Sequence, residues 1–219
     1  MANMTNTNTL ESRVFWDAAF KHLKKRDKRL SAILTRESYR QVKLDKDYYG
    51  ALVESIVFQQ IAGKAAEAIL KRFRGLYGGR LPKPGEFLKT EEKLVKGAGI
   101  SPQKYSYIKD LCERLDNGMT ELEALEEMED ERVIEELDKI RGIGRWTAEM
   151  FLIFSLGRED VMPADDLGIR KAVQKLYGLR SLPSREKIAM LSRPWHPYCT
   201  VATLCLWRSL DTVAVEKRR

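Results

Sequence analysis

Several classes of protein are excluded by what this sequence has little of. The 219-residue chain has three cysteines, Cys112, Cys199 and Cys205, and no CxxC pair. That number is too small for a disulfide framework or for a four-cysteine iron–sulfur cluster. Its two histidines, His22 and His196, do not have the sequence spacing of metal ligands. We therefore expect buried thiols, a reducing compartment and no metal site built from side chains.

The chain also lacks long apolar runs. No stretch of about 18 apolar residues occurs, so a transmembrane helix is not expected. The first nine residues are polar and have neither the basic nor the apolar part of a signal peptide, and we expect residues 1–10 to be a disordered tail. With 43% apolar and 32% charged residues, residues 11–219 are expected to fold around a sizeable core.

Alternating apolar and polar runs, which are typical of strands, are missing as well. Helical spacing of apolar residues predicts an all-α fold instead. Ser101 and Pro102 are typical of a helix start, because serine caps and proline fits the first turn. The predicted helices are 11–34, 49–77, one opening at 90–92, one from 101, two short ones within 116–138, 145–156, and three starting near 165, 184 and 197.

Charge is distributed unevenly along the chain. The formal net charge is +7, but residues 116–138 contain eleven acidic side chains and a single basic one, Arg132. The rest of the chain therefore carries +17. A basic body with one acidic segment favours a polyanionic partner, although net charge alone also serves solubility.

Two glycines bracket one apolar residue in the turn Gly142-Ile143-Gly144. Glycine permits positive φ and close backbone approach, and Ile143 can pack back between the flanking helices. The amides that open the next helix would then point outward as a phosphate site. Ordinary helical hairpins use glycine in the same way, so this turn alone leaves both interpretations open.

A second segment, Met162-Pro163-Ala164-Asp165-Asp166, places two carboxylates at a predicted helix start. On this fragment alone, capping of the helix is a better explanation than catalysis, because aspartate satisfies the free amides of a first turn.

Five patterns occur together over residues 52–207, in one order: Gln59-Gln60-Ile61, Gly99-Ile100-Ser101-x-x-Lys104, LxxIxGIGxWTA over residues 137–148, Pro163-Ala164-Asp165-Asp166, and WxPYxxxAxxxxW from Trp195 to Trp207. This arrangement resembles the helix-hairpin-helix DNA glycosylase superfamily, and within it the alkylpurine branch, 3-methyladenine DNA glycosylase II. The chain resembles a short form without the N-terminal α/β domain of the larger bacterial members.

The resemblance implies two helical lobes with the active-site cleft between them and the hairpin at about residues 137–148. In the family the hairpin holds the DNA backbone without reading sequence, which implies contacts from Gly142, Ile143 and Gly144 with Thr147 close by. No cofactor is implied, although a sodium or potassium ion can be held by hairpin carbonyls, Ile140 among them.

The family's catalytic aspartate corresponds to Asp166, which leaves Asp165 to cap the helix or to have no special role. An alkylated purine is cationic and already a good leaving group, so the carboxylate stabilises the positive sugar that forms as the C1′–N bond breaks, and can help activate water. Trp146 stands where strand-cleaving relatives have a Schiff-base lysine, which implies a monofunctional enzyme.

The resemblance also implies residues that hold the base and fill the space that it leaves. Trp146, Trp207 and Met150 correspond to the base pocket, although simple core packing remains open for both tryptophans. Ile61 corresponds to a wedge that fills the vacated stack, or else belongs to the core, and Lys64 corresponds to a phosphate contact. Cys199 is a departure, since relatives often have arginine there.

The leading hypothesis is therefore a monomeric, monofunctional glycosylase that excises 3-methyladenine and 7-methylguanine from double-stranded DNA in base excision repair. It would act in the cytoplasm and nucleoid of a bacterium or archaeon, or in a eukaryotic nucleus, without membrane association. A non-catalytic helix-hairpin-helix DNA-binding module is the alternative. An ordinary helical scaffold explains neither the hairpin nor the aspartate.

Overall fold

The computed structural model describes residues 9–35 and 42–216, with side chains over 10–35 and 42–210, and this part of the chain contains helices and no strands. The predicted all-α class is therefore confirmed. None of the helices in the described ranges combines the length and apolar character needed to cross a bilayer. The α-helices are α1 (Arg13–Arg26), α2 (Lys28–Ser31), α3 (Tyr48–Phe58), α4 (Gly63–Gly75), α5 (Pro84–Leu88), α6 (Glu92–Gly97), α7 (Pro102–Asp116), α8 (Asp130–Asp138), α9 (Arg145–Phe151), α10 (Leu167–Tyr177), α11 (Arg185–Ser192) and α12 (Cys199–Glu216).

Two long predicted helices are each interrupted. The helix predicted over 11–34 breaks at Asp27, whose side chain accepts hydrogen bonds from the amides of Arg29 and Leu30 and so starts α2. The helix predicted over 49–77 breaks at residues 59–62, where Gln60 has a φ of 56°. Apolar spacing persists through both breaks because each pair of flanking helices buries apolar residues, so periodicity alone did not reveal them.

The start of α7 lies where the sequence predicts it, whereas the end of the helix predicted over 145–156 and the end of the N-terminal tail differ from the prediction. Ser101 caps α7 by accepting the Lys104 amide, as predicted. The helix predicted over 145–156 changes from α to π at Leu152–Leu156. Of the predicted tail, residues 1–8 lie outside the described residues, while Thr9–Glu11 forms a 3-10 turn with Leu10 fully buried. The tail boundary at residue 10 was therefore wrong, because Leu10 belongs to the apolar core.

The chain divides into two compact units, in agreement with the predicted pair of lobes, and the cleft between them stays a prediction. The first unit comprises Met1–Leu44 and Leu152–Arg219. In its core α10 packs against α12, and α1 contributes fully buried side chains such as Trp16 and Leu23. This packing fixes the start of α10, where Asp166 is located.

The second unit comprises Asp45–Phe151. Here α3 packs against α4, α7 and α9, and α8 packs against α9. The apolar faces of these helices supply fully buried residues such as Ile56, Phe73, Ile108 and Leu137. The connection between α8 and α9 is the glycine-containing hairpin.

All three cysteines are free and buried, as predicted. Burial raises the pKa of the Cys112 thiol to about 11 and that of Cys205 to about 12. Both thiols are therefore protonated at neutral pH and pack as small apolar groups.

Asp27 connects several elements of the first unit. Besides capping α2, its carboxylate accepts hydrogen bonds from the Tyr177 hydroxyl and, at 2.9 Å, from Nε1 of the fully buried Trp195. Burial acts to raise the pKa of Asp27, but hydrogen bonds from Tyr177, Leu30, Trp195 and Arg29 outweigh it and lower the pKa. The lowered pKa means that the ionised carboxylate stabilises the fold above its unfolded pKa of about 3.9.

We predict that Asp27→Ala lowers the free energy of unfolding by about 2 kcal/mol or more, because it removes a helix cap and leaves a buried indole N–H without an acceptor. Denaturant unfolding at pH 7 measures this loss. In the wild type the part of this contribution that depends on the ionised carboxylate should be lost progressively as the pH falls from about 4 through the lowered pKa of folded Asp27. Asp17→Ala, which removes only an exposed ion pair with Arg13, is the control; equal losses in the two variants would contradict the role of Asp27.

Candidate active site and nucleic-acid interface

Asp166 is the N-cap residue of α10. Its Oδ1 atom accepts the backbone N–H of Ile169 at 2.7 Å, and the same oxygen accepts Nε1–H of Trp207, from α12, at 2.8 Å. Of the two alternatives expected for Asp165, the cap is wrong, because Asp166 itself caps α10, and the absence of a special role stays open. Asp165 instead forms an exposed ion pair with Arg185 at 3.3 Å. Asp166 has the extended backbone that an N-cap requires, with φ −63° and ψ 125°.

The contact between Asp166 and Trp207 depends on the small size of Gly168. A Cβ atom on Gly168 would lie 2.9 Å from Oδ1 of Asp166 and 3.1 Å from Cδ1 of Trp207, closer than real Cβ contacts allow. On its other side the half-buried indole of Trp207 stacks on Phe154, with ring centroids 6.2 Å apart and planes 18° apart. Trp207 is thus held both by stacking on Phe154 and by its hydrogen bond to Asp166. Simple core packing, the alternative left open by the sequence, does not describe it fully.

These contacts hold one carboxylate in a defined orientation. Both donors bind Oδ1, and the N-terminus of α10 adds the positive end of the helix dipole. A carboxylate with this support can stabilise a cation that develops nearby without reorganising. Sequence reasoning missed the parts played by Gly168 and Phe154, although the Asp-Leu-Gly order after the proline was a usable signal.

The hairpin between α8 and α9 has the geometry that the glycines predicted. Ile143 is buried at 2% exposure, which confirms that it packs back between the helices. Gly142 has a φ of +82°, and a Cβ there would lie 2.1 Å from the Tyr107 ring. Gly144 has open space around it and is exposed, so its backbone is accessible to a ligand.

Side chains from elsewhere in the second unit hold the hairpin in place. The side-chain amide of Gln59 donates to the Gly142 carbonyl at 2.7 Å. The backbone amide of Arg141 donates to the Asp110 carboxylate at 3.0 Å. Lys104 donates to the Val57 carbonyl at 2.7 Å, at the end of α3. Beside the hairpin lies a cavity of about 150 Å³ lined by Gln59, Gln60, Gln103, Lys104, Tyr107 and Gly142. Gln59 therefore links the loop after α3 directly to the hairpin, and Lys104 lines the same cavity as Gly142.

The cation predicted on the hairpin carbonyls remains a prediction. The Gly142 carbonyl accepts Gln59, and the Ile140 carbonyl accepts the Ile143 amide at 3.0 Å.

The remaining predicted residues of the second unit differ in exposure. Trp146, in the first turn of α9, is 47% exposed, and Ile61 is 36% exposed, so neither is a core residue. Lys64 is exposed at the start of α4, and Met150 is half-buried. Thr147 is buried at 6% exposure, so its predicted place close to the DNA stays a prediction.

The structure therefore groups the predicted residues in two sets. Asp166 and Trp207 are in hydrogen-bond contact within the first unit. The other predicted residues belong to the second unit, where Gln59 joins the loop that contains Ile61 to the hairpin.

Comparison with known proteins agrees with this arrangement. Residues 53–197 match the model of the HhH-GPD superfamily, described as base excision DNA repair proteins. The chain is 37% identical over 166 residues to DNA-3-methyladenine glycosylase 1 of Schizosaccharomyces pombe, covering 75% of this chain and 73% of that protein.

Solved structures give the same result. The structure of a DNA-3-methyladenine glycosidase from Bacillus halodurans superposes with a TM-score of 0.81 and 37% identity, over 90% of this chain and 91% of that one. A 3-methyladenine DNA glycosylase of Schizosaccharomyces pombe in complex with abasic DNA superposes with a TM-score of 0.77 and 34% identity, over 89% and 97%. The chain belongs to the HhH-GPD superfamily of base excision DNA repair proteins.

The two hairpin glycines should respond differently to the same substitution. We predict that Gly142→Ala lowers the free energy of unfolding by about 2 kcal/mol or more, because it combines a left-handed backbone with a clash against Tyr107. Gly144→Ala, which has open space and no positive φ, should change it by about 0.5 kcal/mol or less. Denaturant titration of both variants checks this difference, and equal changes in the free energy of unfolding would contradict the special role of position 142.

Proposed function

We propose that this protein is a monofunctional DNA N-glycosylase that excises alkylated purines such as 3-methyladenine and 7-methylguanine and so starts base excision repair. The observation that carries the proposal is the Asp166 carboxylate, held by Ile169 and Trp207 at the start of α10. Membership of the superfamily supplies the reaction class. The names of the glycosylases from Schizosaccharomyces pombe and Bacillus halodurans support the choice of alkylated purine as substrate.

In the proposed reaction Asp166 acts by electrostatics. A purine alkylated at N3 or N7 carries a positive charge and leaves as a neutral base when the C1′–N bond breaks. The positive charge then moves to the sugar, where the Asp166 carboxylate stabilises it. Water adds to C1′ and loses a proton, which Asp166 can accept, and the products are the free base and an abasic site.

The damaged base must leave the duplex before Asp166 can act on its sugar. Extrusion costs about a few kcal/mol and is least for a damaged or mismatched pair. We propose Trp146, Trp207 and Met150 as contacts of the extruded base, and a cationic base over an indole gains about 0.5–2 kcal/mol. The exposure of Trp146 is consistent with this role, because a side chain that receives a ligand cannot be packed in the core.

DNA contacts are assigned to the hairpin and to the loop between α3 and α4. The exposed Gly144 and the amides that open α9 suit a phosphate, and Gly142 and Ile143 set the shape of the turn. Ile61 is exposed and apolar, as a wedge that replaces the extruded base must be, and the exposed Lys64 suits a phosphate. We expect the protein to act as a monomer on double-stranded DNA in the nucleoid or nucleus, with no cofactor.

The test is release of methylated bases from alkylated duplex DNA by the purified chain. We predict that Asp166→Asn lowers the single-turnover excision rate by about 100-fold or more and changes DNA affinity less than about threefold. Asparagine keeps an oxygen that can accept from Ile169 and Trp207, so the substitution removes charge while the helix cap remains.

Asp165→Asn is the matched control, because it removes the neighbouring charge, which forms an exposed ion pair with Arg185. It should retain most of the excision activity. Loss of activity in both variants would reassign the catalytic role, and DNA binding without any base release by the wild type would favour a non-catalytic DNA-binding module.

The absence of a lysine at position 146 predicts the absence of strand cleavage. Without a Schiff-base amine, borohydride treatment during turnover should trap no covalent complex between protein and DNA. A strand-cleaving glycosylase trapped under the same conditions is the positive control. A trapped band with the wild-type chain would contradict the monofunctional assignment.

A further inference from the structure

Three chemically distinct donor atoms converge at the start of α12. His196 Nδ1 lies 2.7 Å from Oδ2 of Asp160 and 3.7 Å from Sγ of Cys199. All three donor atoms lie within 4.8 Å of one another. Among the described residues this is the one group of three or more histidine, cysteine and acidic side chains with that spacing. The site belongs wholly to the first unit.

The two segments that supply these donors are fixed to each other by other hydrogen bonds. The Thr200 hydroxyl accepts the Val161 amide at 2.9 Å and donates to the Arg158 carbonyl at 2.7 Å. The Thr200 amide donates to the Glu159 carbonyl at 3.0 Å. Oδ1 of Asp160 accepts the Cys199 amide at 3.1 Å, which leaves Oδ2 toward His196. The donor set is therefore largely preorganised.

We infer that Asp160, His196 and Cys199 form a binding site for a borderline divalent transition-metal ion such as Zn²⁺, with a fourth position filled by water. Imidazole, thiolate and carboxylate are the three ligand types that zinc sites combine. With Zn–S of about 2.3 Å and Zn–N of about 2.0 Å, a tetrahedral ion places sulfur and nitrogen about 3.5 Å apart, close to the separation seen here. Oδ2 of Asp160 must move away from Nδ1 of His196 by about half an ångström, because two ligands of one zinc ion lie farther apart than the hydrogen-bond distance of 2.7 Å seen here.

Proton balance is simple at this site. The Cys199 thiol releases one proton as the sulfur binds the metal. In the neutral imidazole the proton moves to Nε2 when Nδ1 becomes a ligand. His196 is about half exposed, so solvent can exchange that proton and can supply the fourth ligand.

The proposed site is separate from the carboxylate of Asp166. Cys199 and Trp207 are eight residues apart on α12, which is about 12 Å along the helix axis. Metal binding there is thus a property of the start of α12, and its test does not depend on excision of any base.

Titration of the metal-free protein with Co²⁺ tests the inference, because a cobalt–thiolate bond produces a near-ultraviolet charge-transfer band. We expect the band to saturate at one equivalent of Co²⁺ and to be lost when Zn²⁺ is added. Cys199→Ala should abolish the band, whereas Cys205→Ala and Cys112→Ala, which remove the other buried thiols, should keep it. A melting curve for each variant verifies folding.

Asp160→Asn is the second variant, because its amide oxygen can still accept the Cys199 amide and cap α12. It should weaken Co²⁺ binding by about tenfold or more while the melting temperature stays close to that of the wild type. Absence of a thiolate band in the wild type overturns the proposal. A band that survives Cys199→Ala, or an affinity unchanged by Asp160→Asn, overturns it as well.

Discussion

One oxygen of the Asp166 carboxylate joins the start of α10 to α12 through two hydrogen bonds. Oδ1 of Asp166 accepts a backbone amide from the first turn of α10 and the indole N–H of Trp207 from α12. Gly168 leaves the space in which these groups meet, and Phe154 supports the indole from behind. The orientation of the charge is therefore set before substrate arrives, which is what electrostatic stabilisation of a cationic transition state requires.

In the second unit the preorganised group is the backbone of the hairpin between α8 and α9. The hairpin requires glycine at position 142, because a side chain there would collide with Tyr107. Ile143 is buried and fixes the turn in the core. Gln59 holds the Gly142 carbonyl, so the turn and the loop after α3 are one hydrogen-bonded structure. A rigid turn with accessible amides suits a phosphate backbone, since the contacts need no reordering on binding.

The sequence predicted the all-α class, the burial of Ile143 and the position of Asp166, because these follow from local rules and from motifs in fixed order. It did not predict the helix break at Asp27, whose partners Tyr177 and Trp195 are about 150 residues or more away. It did not predict that Asp166 itself caps α10, because capping depends on backbone angles that two neighbouring aspartates do not reveal. His196 and Cys199 are three residues apart on the chain, but their relation to Asp160 exists only in the folded unit.

We propose that the Asp166 charge is oriented in advance so that it stabilises a cationic sugar. The most direct measurement compares the affinity for duplexes that contain either a cationic or a neutral analogue of the abasic sugar, at matched salt. The wild type should prefer the cationic analogue by about tenfold or more, and Asp166→Asn should lose that preference while it binds the neutral analogue as before. Equal affinity of the wild type for the two analogues would contradict the account.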